Sequence, residues 1–335
     1  MKRRLWDISI VTIILSAFLG VITKASDGET CPEPNEIKNE KEVEWTVPNP
    51  YKFFEESQLK SNKNGNFGHF LDAGTGTTSI RWLSSMIHRG GDEDDVSVES
   101  YTAITADHEM HQKVINMTTQ QGIHEKGEVI IGNWIDGVRK DGTLNTRKNN
   151  YLLHGKEGNF DTILVDYLIG AMDRFSPYFQ DIIFERLATH LKPGGRIYIL
   201  GLEPIPDKGT RTSAAIWSEI KHARDASMML AGKRPYREYP LEWIERMLAK
   251  SDGLNVVTRK IYPLSLPFHK LLQEINNGRL YIKYFSSKKL KDSMTNVFDE
   301  LEAESLRITK EAKGGKIRSG FEYALVVEKE NLDTK

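Results

Sequence analysis

The chain has 335 residues, 39% hydrophobic and 28% charged, the balance of an ordinary folded soluble body and not of a disordered or membrane-embedded one. Forty-six Lys and Arg against 47 Asp and Glu leave a net charge of −1, so bulk electrostatics gives no reason to expect a nucleic acid partner. With one cysteine, Cys31, no disulfide can close within the chain and thiolate zinc sites are excluded.

Lys2, Arg3 and Arg4 precede an uncharged, mostly apolar run from Ile8 to Thr23, which ends at the small residues Ala25 and Ser26. That is the grammar of a secretory signal. As a helix the run spans roughly 24 Å, short of the ~30 Å hydrocarbon core, which favours cleavage near Ala25 over retention of residues 8–23 as a membrane anchor. Either outcome places the body in the secretory pathway: secreted, or lumenal on an endoplasmic reticulum or Golgi membrane. The sequon Asn116-Met117-Thr118 is compatible with that route. Residues 26–48, rich in Glu, Asn, Lys and Pro, read as a flexible linker, and residues 49–330 as the folded domain.

From Tyr51 onward, short apolar runs alternate with segments of helical period. The pattern predicts strands at His69–Asp72, Ser100–Thr105, Glu128–Ile131, Thr162–Val165, Arg196–Leu200, Leu254–Tyr262 and Phe321–Glu328. It predicts helices at Thr78–Ile87, Glu109–Thr119, Pro177–His190, Ala214–Met229 and Pro240–Ala249. Strands joined by crossover helices form an α/β, doubly wound sheet with right-handed connections. Three stretches break the rhythm: an acidic insert at Gly91–Glu99, a polar one at Lys140–Gly158, and residues 263–319, which carry a charged helix at Asp292–Ala312.

The strongest motif is Phe70-Leu71-Asp72-Ala73-Gly74-Thr75-Gly76-Thr77-Thr78, an apolar strand ending in an acid, with a glycine turn that opens a helix and lets a ligand approach the backbone. The second strand leads to Asp107, whose carboxylate either accepts from both hydroxyls of a ribose or caps the following helix. The third ends in Gly132-Asn133-Trp134, an amide and an indole suited to an adenine, though the indole suits the core equally well. The fourth, Phe160-Asp161-Thr162-Ile163-Leu164-Val165, stops at Asp166-Tyr167, where open α/β sheets place ligand and catalytic groups. Leu187–Leu191 then closes a helix onto the turn Lys192-Pro193-Gly194-Gly195 before the fifth strand.

In this order, over residues 65–262, the motifs resemble those of class I S-adenosylmethionine-dependent methyltransferases. LDAGTG is similar to the family's first motif, although Thr78 stands where a third glycine is common, and FDTILVD and LKPGGRIYIL are similar to its fourth- and fifth-strand motifs. The resemblance implies a Rossmann-like methyltransferase fold: seven strands, the last antiparallel, with helical insertions. It implies S-adenosylmethionine as cofactor, held by Asp72, Gly74, Thr75, Gly76, Asp107, His108, Asn133, Trp134 and Asp166.

Methyl transfer depends on placing a nucleophile in line with the methyl carbon, and a base is required only where the nucleophile must lose a proton. Asp166 and Tyr167 are the candidate catalytic groups, with Glu203 a weaker choice. His108, His111, His222 and His269 show no metal-ligand spacing, so no metal is expected. Asp166-Tyr167-Leu168-Ile169 does not resemble the Asn/Asp-Pro-Pro-Tyr motif of enzymes that methylate base or glutamine nitrogens, which favours a small-molecule or lipid-like acceptor. Trp217, Arg234, Tyr236, Arg237, Tyr239 and Trp243 form either a lid over it or packing anchors. Two rival enzyme readings are an aminopropyltransferase, suggested by Asp166 with Asp173 but lacking the Gly-Gly-Gly motif, and a nicotinamide oxidoreductase, opposed by Ser79 at the sixth motif position. A non-catalytic interaction module is a third.

Overall fold

The computed structural model describes residues 45–61, 63–90, 95–139, 151–205 and 212–331. The signal-like segment, Cys31, most of the linker, and positions 91–94 and 140–150 of the two inserts lie outside the described residues. Among the described residues no helix is long and apolar enough to cross a membrane.

Seven strands form one sheet: β1 (His69–Asp72), β2 (Ser100–Thr105), β3 (Gly127–Ile131), β4 (Phe160–Asp166), β5 (Leu191–Leu202), β6 (Leu254–Pro267) and β7 (Lys316–Lys329). Their spatial order is β3-β2-β1-β4-β5-β7-β6. β1 to β5 pair in parallel, and β7 runs antiparallel to both β5 and β6. This is the doubly wound sheet with an antiparallel last strand that the sequence leads one to expect. Period-two alternation sends Leu71, Ile163, Val165, Ile197, Ile199, Leu325 and Val327 into one core and Phe70, Leu164, Tyr198, Leu200, Ala324 and Val326 into the other. The chain moves outward from β1 to β3 and then returns to β4, so the order reverses between β1 and β4, and a crevice opens at their carboxyl ends.

Nine helices accompany the sheet among the described residues: α1 (Asn49–Leu59), α2 (Thr77–Arg89), α3 (His108–Gln120), α4 (Leu168–Phe175), α5 (Ile183–His190), α6 (Thr212–Leu230), α7 (Leu241–Lys250), α8 (Phe268–Ile282) and α9 (Lys288–Glu311). The expected helix at Pro177–His190 is shorter. Tyr178 takes a left-handed φ of 74°, which breaks the chain into turns until Ile183. The turn at Lys192-Pro193-Gly194-Gly195 is a register shift within β5, with Gly194 at φ 69°.

Residues 263–319 are not a purely helical insert. β6 and β7 run on as a paired arm as far as Pro267 and Lys316, and α8 and α9 occupy the interval between them. With α6 these helices close a third core around Ile220, Leu271, Ile275, Phe298 and Ile317. Gly278 permits the close packing, because a Cβ there would lie 2.3 Å from Phe298 and 3.2 Å from the Arg224 backbone. This helical layer roofs the ends of β4 and β5.

Candidate functional site

Two openings adjoin at the carboxyl edge of the sheet. The first is a crevice of about 50 Å3 at the β1/β4 switch, bordered by Gly74, Thr75, Thr105, Asn133, Trp134, Asp166 and Ser176. The second is a cavity of about 180 Å3 between the ends of β4, β5 and β7 and the helices α6 and α8. Ala171 lines both, and the consecutive residues Asp166 and Tyr167 face one each.

Asp72 does not line the crevice; it clasps the turn beneath it. The Ser79 hydroxyl donates to Asp72 Oδ2 at 2.6 Å, and the Gly76 amide donates to Ser79 Oγ at 3.1 Å. Burial raises the Asp72 carboxyl to about 6, against the hydrogen bonds of Ser79, Thr75 and the Gly74 amide. Ser79, which argued against a dinucleotide motif, is thus the residue that ties helix α2 to the strand. Gly74 serves packing: a Cβ there would meet Leu168 Cδ1 at 2.9 Å. At Gly76 a Cβ would meet nothing within 4 Å.

Asp166 is held from behind by helix α1, where the Tyr51 hydroxyl donates to Oδ2 at 2.8 Å and the Tyr51 ring stacks on Trp82 at 4.5 Å. The other oxygen, Oδ1, is buried with no hydrogen-bond partner among the described residues. Burial pushes this carboxyl up to about 7; the Tyr51 bond opposes the shift, and the Asp72 and Glu322 charges add to it.

Tyr167 opens α4 in the left-handed region at φ 49° and donates its hydroxyl to Glu322 Oε1 at 2.7 Å. Burial, together with the Glu322 charge, raises its phenol well above the ordinary value. Tyr167 therefore keeps its proton at neutral pH, which corrects its expected role as a base: it is a hydrogen-bond donor. Glu203 is likewise occupied, its carboxylate accepting from the Leu241 amide at 2.9 Å at the start of α7.

The other expected contacts are distributed unevenly. Asp107 caps α3, with Oδ1 accepting from the amides of Glu109 and Met110 at 2.9 Å each; its neighbours Thr105 and Ala106 line the crevice, but Asp107 itself does not. His108, exposed at the first position of α3, does not line it either. Asn133 and Trp134 do. The Asn133 side chain is an internal staple, donating to the Phe175 carbonyl at 2.9 Å and accepting from the Ser176 hydroxyl. Trp134 is 5% exposed and its Nε1 donates to the Ala73 carbonyl at 2.7 Å, so the indole is a core strut that props the tip of β1. Asp166 and Asp173 do not form an acidic pair in the crevice: Asp173 is turned to Gln180 and Arg234, at 3.5 and 3.4 Å. Ser176 borders the crevice, Glu322 the cavity, and Tyr51 supports Asp166 from behind; none of the three carries a motif that would single it out in the sequence.

No protein-family model matches the chain, and neither does any curated protein. Among solved structures, a protein from Bacillus halodurans C-125 described as a methyltransferase is 12% identical, with a TM-score of 0.49 over 84% of this chain and 99% of its own. An S-adenosylmethionine-dependent methyltransferase from Methanosarcina mazei is 10% identical, at a TM-score of 0.42 over 78% of this chain and 92% of its own. The [4+2]-cyclase SpnF is 12% identical, at a TM-score of 0.43 over 83% of this chain and 80% of its own. At these identities and scores none of them bears on activity.

Proposed function

We propose that this chain is an S-adenosylmethionine-dependent methyltransferase acting on a small-molecule or lipid-like acceptor in the secretory or endomembrane system. The observation that carries the reading is Asp166 Oδ1, a buried carboxylate oxygen with no donor among the described residues, at the switch-point crevice and one residue from a second, aromatic-walled cavity. A cationic, hydrogen-bond-donating ligand satisfies that oxygen. S-adenosylmethionine, when bound, supplies a methyl carbon activated by its sulfonium.

The chain's own residues divide the remaining work. The Gly74-Thr75 turn and Asp166 face the donor side. Tyr167 and Glu322 face the acceptor side, and the wall at Ala171 separates the two. Ligand pockets typically offer about 300 Å3 or more, so donor binding requires the crevice to widen from its 50 Å3. The hydrogen bonds that Asn133 donates to the Phe175 carbonyl and accepts from the Ser176 hydroxyl, made among the crevice's own walls, are the ones that must give.

Calorimetry with the full chain tests the reading: S-adenosylmethionine binds, and in preference to its decarboxylated form. Asp107 separates two contributions. Asp107→Ala loses both the cap, worth about 1 kcal/mol of stability, and any ribose contact. Asp107→Ser keeps a capping oxygen and loses the second carboxylate oxygen together with its charge. Asp107 does not line the crevice as it stands, so a ribose contact needs its free oxygen to reach the widened site; where it does, both substitutions weaken donor binding about tenfold or more, roughly 1.4 kcal/mol, and only the alanine should lower the unfolding midpoint. Absence of any adenosyl ligand binding would leave a non-catalytic module as the better reading.

The compartment rests on Lys2 to Ser26 alone. Cleavage near Ala25 predicts a secreted protein lighter by that segment, and retention predicts full-length protein in the membrane fraction. Intact mass of the two fractions decides between them, and full-length protein in the cytosol would remove the secretory assignment.

A further inference from the structure

Two hydrogen-bond donors line the acceptor cavity and have no acceptor among the described residues. Trp217 is 5% exposed, and its Nε1 has no hydrogen-bond partner among the described residues. The buried Tyr236 hydroxyl has the Arg174 guanidinium beside it, which carries donors only, so the phenolic hydrogen has no acceptor there. Leaving such a group unsatisfied costs about 1–3 kcal/mol, so two lining one cavity point to a ligand that brings acceptor atoms.

The charges narrow the class further. Of the three carboxylates on the cavity, Glu238 is paired with Lys221 at 3.3 Å and Glu274 with Arg224 at 2.7 Å. A cationic amine would find both already neutralised. Glu322 takes the Tyr167 hydroxyl instead of an ion pair of that kind.

We infer, on the reading of the chain as a methyltransferase, that its acceptor is an oxygen-rich, largely apolar hydroxyl compound of the phenol or enol class. Trp217 and Tyr236 donate to its carbonyl or ether oxygen, and Glu322 receives the proton of the hydroxyl that is methylated. In that step the hydroxyl oxygen forms a bond to the sulfonium methyl carbon, the carbon–sulfur bond breaks with its electrons on sulfur, and the proton passes to Glu322. Burial raises the Glu322 carboxyl, against the Tyr167 bond and the Lys270 charge, which narrows its gap to a phenol.

The probe is 4-hydroxyacetophenone, with 4-ethylphenol and 4-aminoacetophenone as analogues that lack the carbonyl or replace the hydroxyl. Binding is followed without methyl donor through the Trp217 indole N–H resonance, assigned by its loss in Trp217→Phe; methylation is followed with labelled donor. The carbonyl probe should move that resonance and accept methyl on oxygen. Trp217→Phe and Tyr236→Phe should each raise its KM about fivefold with kcat nearly kept, the loss of one neutral hydrogen bond. Glu322→Gln should lower kcat about 10²-fold and leave probe binding intact. Preferential methylation of the amine, or equal binding of 4-ethylphenol and the ketone, overturns the inference while donor binding by calorimetry leaves methyl transfer standing. Failure of donor binding removes methyl transfer itself, and the resonance then still reports whether the cavity takes an acceptor oxygen.

Discussion

Asp166→Asn should make the protein more stable at pH 8 and at the same time impair it as a donor-binding protein. The folded state holds this carboxyl at about 7, whereas an unfolded chain releases the proton near 3.9. Because the folded value is raised, its contribution is fully present below about pH 4 and is lost as pH rises through about 7. At pH 8 the native protein therefore carries an ionised, desolvated carboxylate. Asparagine keeps an oxygen for the Tyr51 hydroxyl and removes the charge. Urea denaturation should show the variant about 2–4 kcal/mol more stable at pH 8, the shift being converted at roughly 1.4 kcal/mol per unit and discounted for relaxation, and nearly equal to wild type at pH 4. A shallower fall between about pH 4 and 6 should persist in the variant, since Asp72 contributes it with a carboxyl at about 6. On the proposed methyltransferase reading, binding of the cationic donor ionises Asp166, so in the native protein affinity should tighten from pH 6 to 8 with release of a proton. The variant should bind at least tenfold more weakly at pH 8 and without that proton release. Equal stability of the two proteins at pH 8 would mean that Asp166 is not desolvated.

The sheet was legible because its central strands are buried on both faces and end at acids or glycines. Phe160 to Val165 has no other plausible reading. Helices whose local signals conflict with their tertiary setting were not legible. α1 begins between Pro48 and Pro50 and buries Tyr51, Phe53 and Phe54 on the sheet, a seat that three aromatics in four positions do not announce. α8 contains Asn276, Asn277 and Gly278, all poor helix formers, and Gly278 is there because Phe298 and Arg224 leave no room for a side chain. α4 starts at a left-handed tyrosine directly off a strand, without a capping residue. The site divides in the same way. Strand-end positions such as Gly74, Asn133 and Asp166 follow from the topology, so they were found. What those side chains do depends on distant partners: Asp166 on Tyr51, Asn133 on Ser176, Tyr167 on Glu322. No spacing rule links residues that meet only when the sheet closes.

Glu274→Ala should unfold one layer of the molecule and leave the other. Arg224, 8% exposed, spends Nη1 on Glu274 at 2.7 Å and its remaining donors on Asp225; Lys221 lies 3.9 Å from the same carboxylate. Burial alone would raise Glu274, and Lys221 and Arg224 outweigh it, so the carboxyl sits below its ordinary value. A lowered folded value contributes stability that is present above about pH 4.3 and lost as pH falls through the folded value. Removing the carboxylate strands two buried cations with one partner fewer each, at a cost of about 3 kcal/mol near neutral pH that disappears in strong acid. The damage falls on the third core, which α6, α8 and α9 build apart from the two cores on the sheet faces. Hydrogen exchange should therefore speed up along these helices while β1, β4 and β5 keep their protection, and the crevice should still bind donor after the acceptor cavity has lost its wall. Uniform loss of protection across sheet and helices would show instead that the roof and the sheet fold as one cooperative unit, and that the cavity between them cannot open without the whole domain.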